Sequence, residues 1–258
     1  AGAYGLAIAI SPLFAVAYVY RRGALDSEPG PPAEWGEVTP NLGWLLIGSV
    51  CAAALLNAGP ITASILSDDA DSGLVTQFSY GVLLARIPLF LFQAVQAALL
   101  PRLSRQAARG EFSEFRSGLK RLMLVVLGVG VVGTAGAFLL GPVVLSIVYD
   151  ADLTGRTLAM LSLSSAVYML ALATAQAVIA LQGHALVAIG WGVGVVGFVL
   201  GTWLSSDETF RRIEIGLVVS SLAALLTFAI ALRYRLQVGA TPSQSSMMEA
   251  ITDMPFET

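Results

Sequence analysis

Ser79, Arg86 and Gln93 recur at seven-residue intervals in one long apolar stretch, Leu74 to Arg105, with Gln96 close behind. Residues seven apart on an ideal helix lie within about 20° of each other. The spacing therefore puts a hydroxyl, a guanidinium and a carboxamide on one stripe, with Gln96 beside it. Such groups do not assemble a catalyst, but they can hold an anion: the guanidinium offers a planar fork to a carboxylate or phosphate. Asn57, Tyr168 and Gln176 lie in other apolar stretches and are further candidates to face the same interior. The competing reading is structural, an arginine paired with carbonyls or Gln side chains across a helix bundle, with buried Asn and Gln holding helices together.

An arginine at the centre of a membrane helix costs about 2.5 to 3.5 kcal/mol on insertion scales, so Arg86 requires a partner. No Asp or Glu lies deep in an apolar stretch. Asp68, Asp69, Asp71, Asp150, Asp152, Asp207, Glu208 and Glu214 fall at one set of stretch ends, and the remaining acids lie in a linker, a loop or the tail. A phosphate on a substrate would supply the missing charge. Pro88 has no N–H for the carbonyl of Leu84, which opens the helix beside Arg86. Pro60 and Pro142 likewise leave the carbonyls of Leu56 and Phe138 without helical donors, predicting kinks or hinges.

Enzyme signatures are absent. His184 is the single histidine and Cys51 the single cysteine, so neither a multi-histidine nor a thiolate metal site can be built, and no phosphate-binding G-x-x-x-x-G-K-[ST] loop exists. No catalytic residue, metal or cofactor is assigned, and the chain is read as a non-enzyme.

These groups must be positioned by membrane helices. Hydrophobic residues make up 56% of the chain and charged residues 12%, against about 25% charged in soluble domains, and the mean hydropathy is +0.78. The predicted fold class is all-α, a polytopic transmembrane bundle of seven spans: 3–20, 41–67, 74–104, 119–149 with a break at Gly141-Pro142, 154–181, 185–204 and 213–234. Residues 21–40 are rich in Pro, Gly and acid and read as a linker. The polar tail, 236–258, reads as disordered. The expected organisation is the last span of a first lobe (1–20), the linker (21–40), a six-helix lobe (41–235) and the tail. Because the chain opens inside an apolar run, the rest of a first lobe is expected to be missing.

Ten of the basic residues, including Arg21, Arg102, Arg109, Lys120 and Arg235, lie on the linker and tail side, and Arg156, Arg211 and Arg212 on the other. The basic side is predicted to be cytoplasmic. Nucleic acid is excluded as a partner, since the basic residues are few and, Arg86 apart, sit in loops and helix ends. Phe112, Phe115 and Leu119 suggest a short amphipathic helix on the inner membrane surface. Gly190, Gly194, Gly197 and Gly201 form a small-residue stripe for close helix packing. GPITASIL at Gly59 and GPVVLSIV at Gly141 repeat at an offset of 82 residues, and QAVQAAL at Gln93 and QAVIAL at Gln176, 83 residues apart, share a fragment, an echo of a duplicated hairpin.

The run ARIPLFLFQAVQAALLPRLSRQAARGEFSEF (Ala85 to Phe115), the GPVVLSIVYD helix end and TAQAVIALQGHALVAIGWGVG (Thr174 to Gly194) resemble the polysaccharide-biosynthesis branch of the multidrug/oligosaccharidyl-lipid/polysaccharide exporter superfamily. The likeness covers 41–235. It implies a pair of six-helix lobes around a cavity open alternately to each side, and flipping of a lipid-linked oligosaccharide across the cytoplasmic membrane. Membrane lipid, the lipid-linked sugar and the missing N-terminal lobe are the implied partners, and Arg86 matches a cationic residue holding pyrophosphate. The alternatives are a cation-coupled multidrug exporter of the same superfamily and a non-transporting seven-helix scaffold or sensor. A retinal-binding sensor would need a lysine in the last span, which has none.

Overall fold

The computed structural model describes residues 14, 17–18, 35–67 and 72–238. The predicted span 3–20, the linker up to 34 and the tail beyond 238 lie, apart from Phe14, Ala17 and Tyr18, outside the described residues. Contacts divide the chain into residues 1–40 and 41–258, and the second unit carries the site.

Every regular element among the described residues is an α-helix: α1 (Trp35–Leu66), α2 (Ser72–Ala85), α3 (Ile87–Ala108), α4 (Phe112–Leu139), α5 (Gly141–Tyr149), α6 (Gly155–Ala180), α7 (His184–Leu204) and α8 (Thr209–Val238). Among the described residues five helices are long and apolar enough to cross a membrane, and α2 with the first part of α3 makes a bent pair that is a sixth span if the two halves cross together. The fold is a polytopic helical bundle. Helix α6 is its axis. It packs against α2, α3, α4 and α8 and buries residues on every face, from Leu158 to Ala180. Thr154 caps it, accepting from the Thr157 amide at 3.2 Å. The outer helices keep apolar side chains exposed, as Val125, Val132 and Leu139 do on α4. A surface that apolar suits lipid rather than water.

The glycine stripe does the packing work expected of it. A Cβ on Gly190 would collide with the Phe228 ring of α8, and one on Gly194 would meet the Leu55 side chain of α1 at 2.8 Å. Phe228 is fully buried and packs edge-on against Trp191, centroids 5.0 Å apart.

Three boundaries differ from the sequence reading. The stretch 74–104 is not one straight helix: it bends by 44° at Arg86, between α2 and α3. No separate surface helix forms over 112–119, because α4 starts at Phe112 and runs on as a span. Phe115 and Leu119 are buried with Leu103, Ala180 and Leu236, so the amphipathic spacing reports contact with α3, α6 and α8 rather than with the membrane surface. Helix α1 begins at Trp35, inside the predicted linker.

The two Gly-Pro motifs also behave differently. Helix α1 runs unbroken through Pro60, whereas Pro142 stands in the first turn of α5, just after α4 ends. Beside that break, Gly155 lies so close to the Phe138 carbonyl that any Cβ would overlap it.

Candidate functional site

Arg86 occupies the bend itself. Its backbone is the N-cap of α3 (φ −96°, ψ −2°). Its N–H donates to the Leu83 carbonyl at 3.2 Å, a tightened turn that ends α2, and its own carbonyl accepts from Phe90 at 3.1 Å, which starts α3. Pro88 in the first turn of α3 explains the break: it cannot continue the α2 ladder, yet its missing N–H costs nothing at a helix start.

The guanidinium reaches across to α1, where Nη2 donates to the carbonyl of Leu56. That is the carbonyl that Pro60, four residues on, cannot serve. Two sequence defects in different helices, a proline without a donor and a charge without a carboxylate, therefore satisfy each other. Among the described residues the ion pairs are Arg109–Glu111 and Arg156–Glu214, and neither involves Arg86.

Arg86 lines a small internal cavity together with Leu56, Ser164, Ser165, Tyr168 and Ser221, with a volume of about 20 Å3, room for about one water. Most of its hydroxyls are spent on their own helices: Ser164 donates to Leu161 and Ser220 and Ser221 donate to Leu217, all within 2.9 Å. The sequence reading missed these serines. Adjacent pairs at 164–165 and 220–221 inside apolar helices were the available signal.

Leu56 and Tyr168 are shared with a second, open groove of about 610 Å3 between α1, α3 and α6. Gln93 and Gln96 of α3 and Gln176 and Tyr168 of α6 line this groove. The leading glutamines of the two echoed QAV fragments thus line the same groove. Tyr168 is fixed at the boundary: its hydroxyl donates to the Ala52 carbonyl at 3.0 Å and its ring lies 5.1 Å from that of Trp191.

Two predicted residues stand apart. Asn57 is exposed and donates to the Ala53 carbonyl of its own helix at 2.8 Å, and Ser79 donates to Val75 at 2.8 Å. Neither lines the cavity or the groove. The Ser79–Arg86–Gln93 stripe assumed one straight helix, and the bend at Arg86 divides it.

One carboxylate is deeper than its place near a helix start implies. Glu214 of α8 is 1% exposed and lies 3.4 Å from Arg156 of α6. It precedes Leu217, a cavity residue, by about one helical turn. Among the described residues no cluster of three His, Cys, Asp or Glu side chains could hold a metal ion.

The arrangement can do one kind of chemistry. A guanidinium held by a neutral carbonyl has no carboxylate partner among the described residues, and a largely apolar groove carrying three glutamines opens on the other side of Leu56 and Tyr168. An anionic headgroup entering the groove would outbid a carbonyl for that cation.

No curated protein and no solved structure matches the chain significantly. A family model does, described as lipid II flippase MurJ and matching residues 12–238. It supports the exporter superfamily and the flippase kind seen in the sequence, but not the polysaccharide-biosynthesis branch. With nearly the whole chain covered, from the middle of the predicted first span to the end of α8, this bent-helix bundle belongs to the MurJ lipid II flippase family.

Proposed function

We propose that the chain helps move a lipid-linked sugar precursor across the cytoplasmic membrane, with Arg86 as the anchor for its pyrophosphate. The family's name makes lipid II the specific candidate among such precursors. The lipid tail stays in the bilayer while the headgroup passes along the face carrying Gln93, Gln96, Gln176 and Tyr168. The observation that carries this reading is the pairing of Arg86 with the Leu56 carbonyl. A purely structural arginine would be satisfied there. A transporting one needs a partner weak enough to surrender, and a neutral acceptor gives roughly half the strength of a charged one.

Arg86→Ala in the full protein should abolish complementation of a flippase-deficient strain at normal expression, and Arg86→Lys should restore only part, because a point charge cannot present the guanidinium fork. Full activity of Arg86→Ala would remove the pyrophosphate role.

A further inference from the structure

The arginine-rich end of the bundle contains another cavity, of about 520 Å3, walled by helix ends. Ala107 and Ala108 close α3, Phe112 opens α4 and Leu181 follows α6, giving an apolar wall; Ser104 and Arg235 supply the polar side. A cavity built from the ends of membrane helices lies where the hydrocarbon core gives way to headgroups.

Arg235 is incompletely satisfied. Its Nη2 donates to the Gln182 carbonyl, its Nε is buried without a partner, and it takes part in neither ion pair among the described residues. Gln182 adopts the left-handed conformation (φ 61°), ending α6 with its carbonyl on Arg235. Helix α7 starts two residues later with no side-chain cap on its first amides, and a Cβ on Gly183 would lie 3.4 Å from Arg235 Nε. The positive end of the α7 dipole and the unpartnered Nε of Arg235 therefore lie close together. His184 Nδ1 is also buried without a partner. In sequence, Arg102, Arg105, Arg109, Arg116, Lys120 and Arg233 fall at the same set of helix ends, where basic residues outnumber acids.

The polar side fits a phosphate, which accepts from a guanidinium and a hydroxyl and balances a charge that no described carboxylate meets. The apolar wall is useless to a hydrated ion but suits the first methylenes of an acyl chain. We propose that this cavity binds an anionic membrane phospholipid, its phosphate at Arg235 and Ser104 and its glycerol and upper acyl region against Ala107, Ala108 and Phe112.

The full chain in detergent, titrated with dioleoyl phosphatidylglycerol and read by native mass spectrometry, tests this. Phosphatidylglycerol should be retained over phosphatidylcholine. Arg235→Gln should weaken retention by about tenfold or more, as loss of a charge-assisted hydrogen bond implies. Ala108→Phe, which fills the exposed rim and leaves the charge in place, should weaken it comparably and carries the test if Arg235→Gln does not fold. Arg116→Gln, removing an exposed arginine at the same end, and Arg86→Ala should leave it unchanged, so the result is independent of the role proposed for Arg86. Equal binding of the two lipids, no loss in Ala108→Phe, or as large a loss in Arg116→Gln as in Arg235→Gln would overturn the site. Inorganic phosphate displacing the lipid at equal concentration would show an ion site and overturn the lipid assignment.

Discussion

The carboxylate of Glu214 is almost fully buried, while the side chain of its partner Arg156 is 51% exposed. That inequality decides what each side of the pair is worth. Removing Arg156 strands a buried negative charge, whereas removing the Glu214 charge leaves an arginine that water can solvate. Arg156→Ala should cost about 1 to 3 kcal/mol, below the range for a fully buried pair, and Glu214→Gln under about 1 kcal/mol. Thermal unfolding in detergent measures both, and equal losses would contradict the asymmetry. The sequence located both residues at the same set of helix ends. It did not reveal that Glu214 is buried, because burial there depends on α6 lying against α8. Arg86 was legible for a different reason: its cost in an apolar helix follows from composition alone. Its acceptor was not, since Leu56 lies 30 residues away in another helix.

Among the elements, α1 and the α2–α3 pair are coupled through a proline in each. Pro88 sets the bend that aims Arg86, and Pro60 frees the carbonyl that receives it. Pro60→Ala would give the Leu56 carbonyl an amide donor within α1 and leave Arg86 to compete with it. The variant should be at least as stable as the parent, because a proline inside a helix is unfavourable, yet flip substrate more slowly in the reconstituted full protein. Unchanged flipping would show that the Leu56 carbonyl does not position Arg86. The α7–α8 contact makes a simpler prediction. Gly190→Ala drives a methyl into the buried Phe228 ring, and overpacking of this kind costs about 1 to 3 kcal/mol, visible as a lower unfolding temperature. The small-residue stripe announced that contact in the sequence, since a period of three to four residues is an intrahelical property. The bend was only half legible: Pro88 marked where the helix weakens, but neither the 44° angle nor the loss of Ser79 from the stripe follows from a single proline.

For the molecule as a whole, the concentration of basic residues at one end of the bundle predicts an orientation with the α3–α4 turn in the cytoplasm under the positive-inside rule. In a Cys51→Ala background, a cysteine at Asp152 should react with an impermeant reagent on intact cells and one at Arg109 should not; the reverse pattern would invert the orientation. By itself the sequence determined that the chain is helical, crosses the membrane repeatedly and carries a costly arginine, because hydropathy, periodicity and charge placement are local quantities summed along the chain. The tertiary structure alone decided that Gln93, Gln96, Gln176 and Tyr168 share one groove, that Asn57 and Ser79 do not, and that a proline-freed carbonyl holds Arg86. Those facts depend on how helices rotate and cross, and in an apolar bundle whose helices are all of similar character, rotation is fixed by interlocking shapes such as Gly190 against Phe228 rather than by any pattern within one segment.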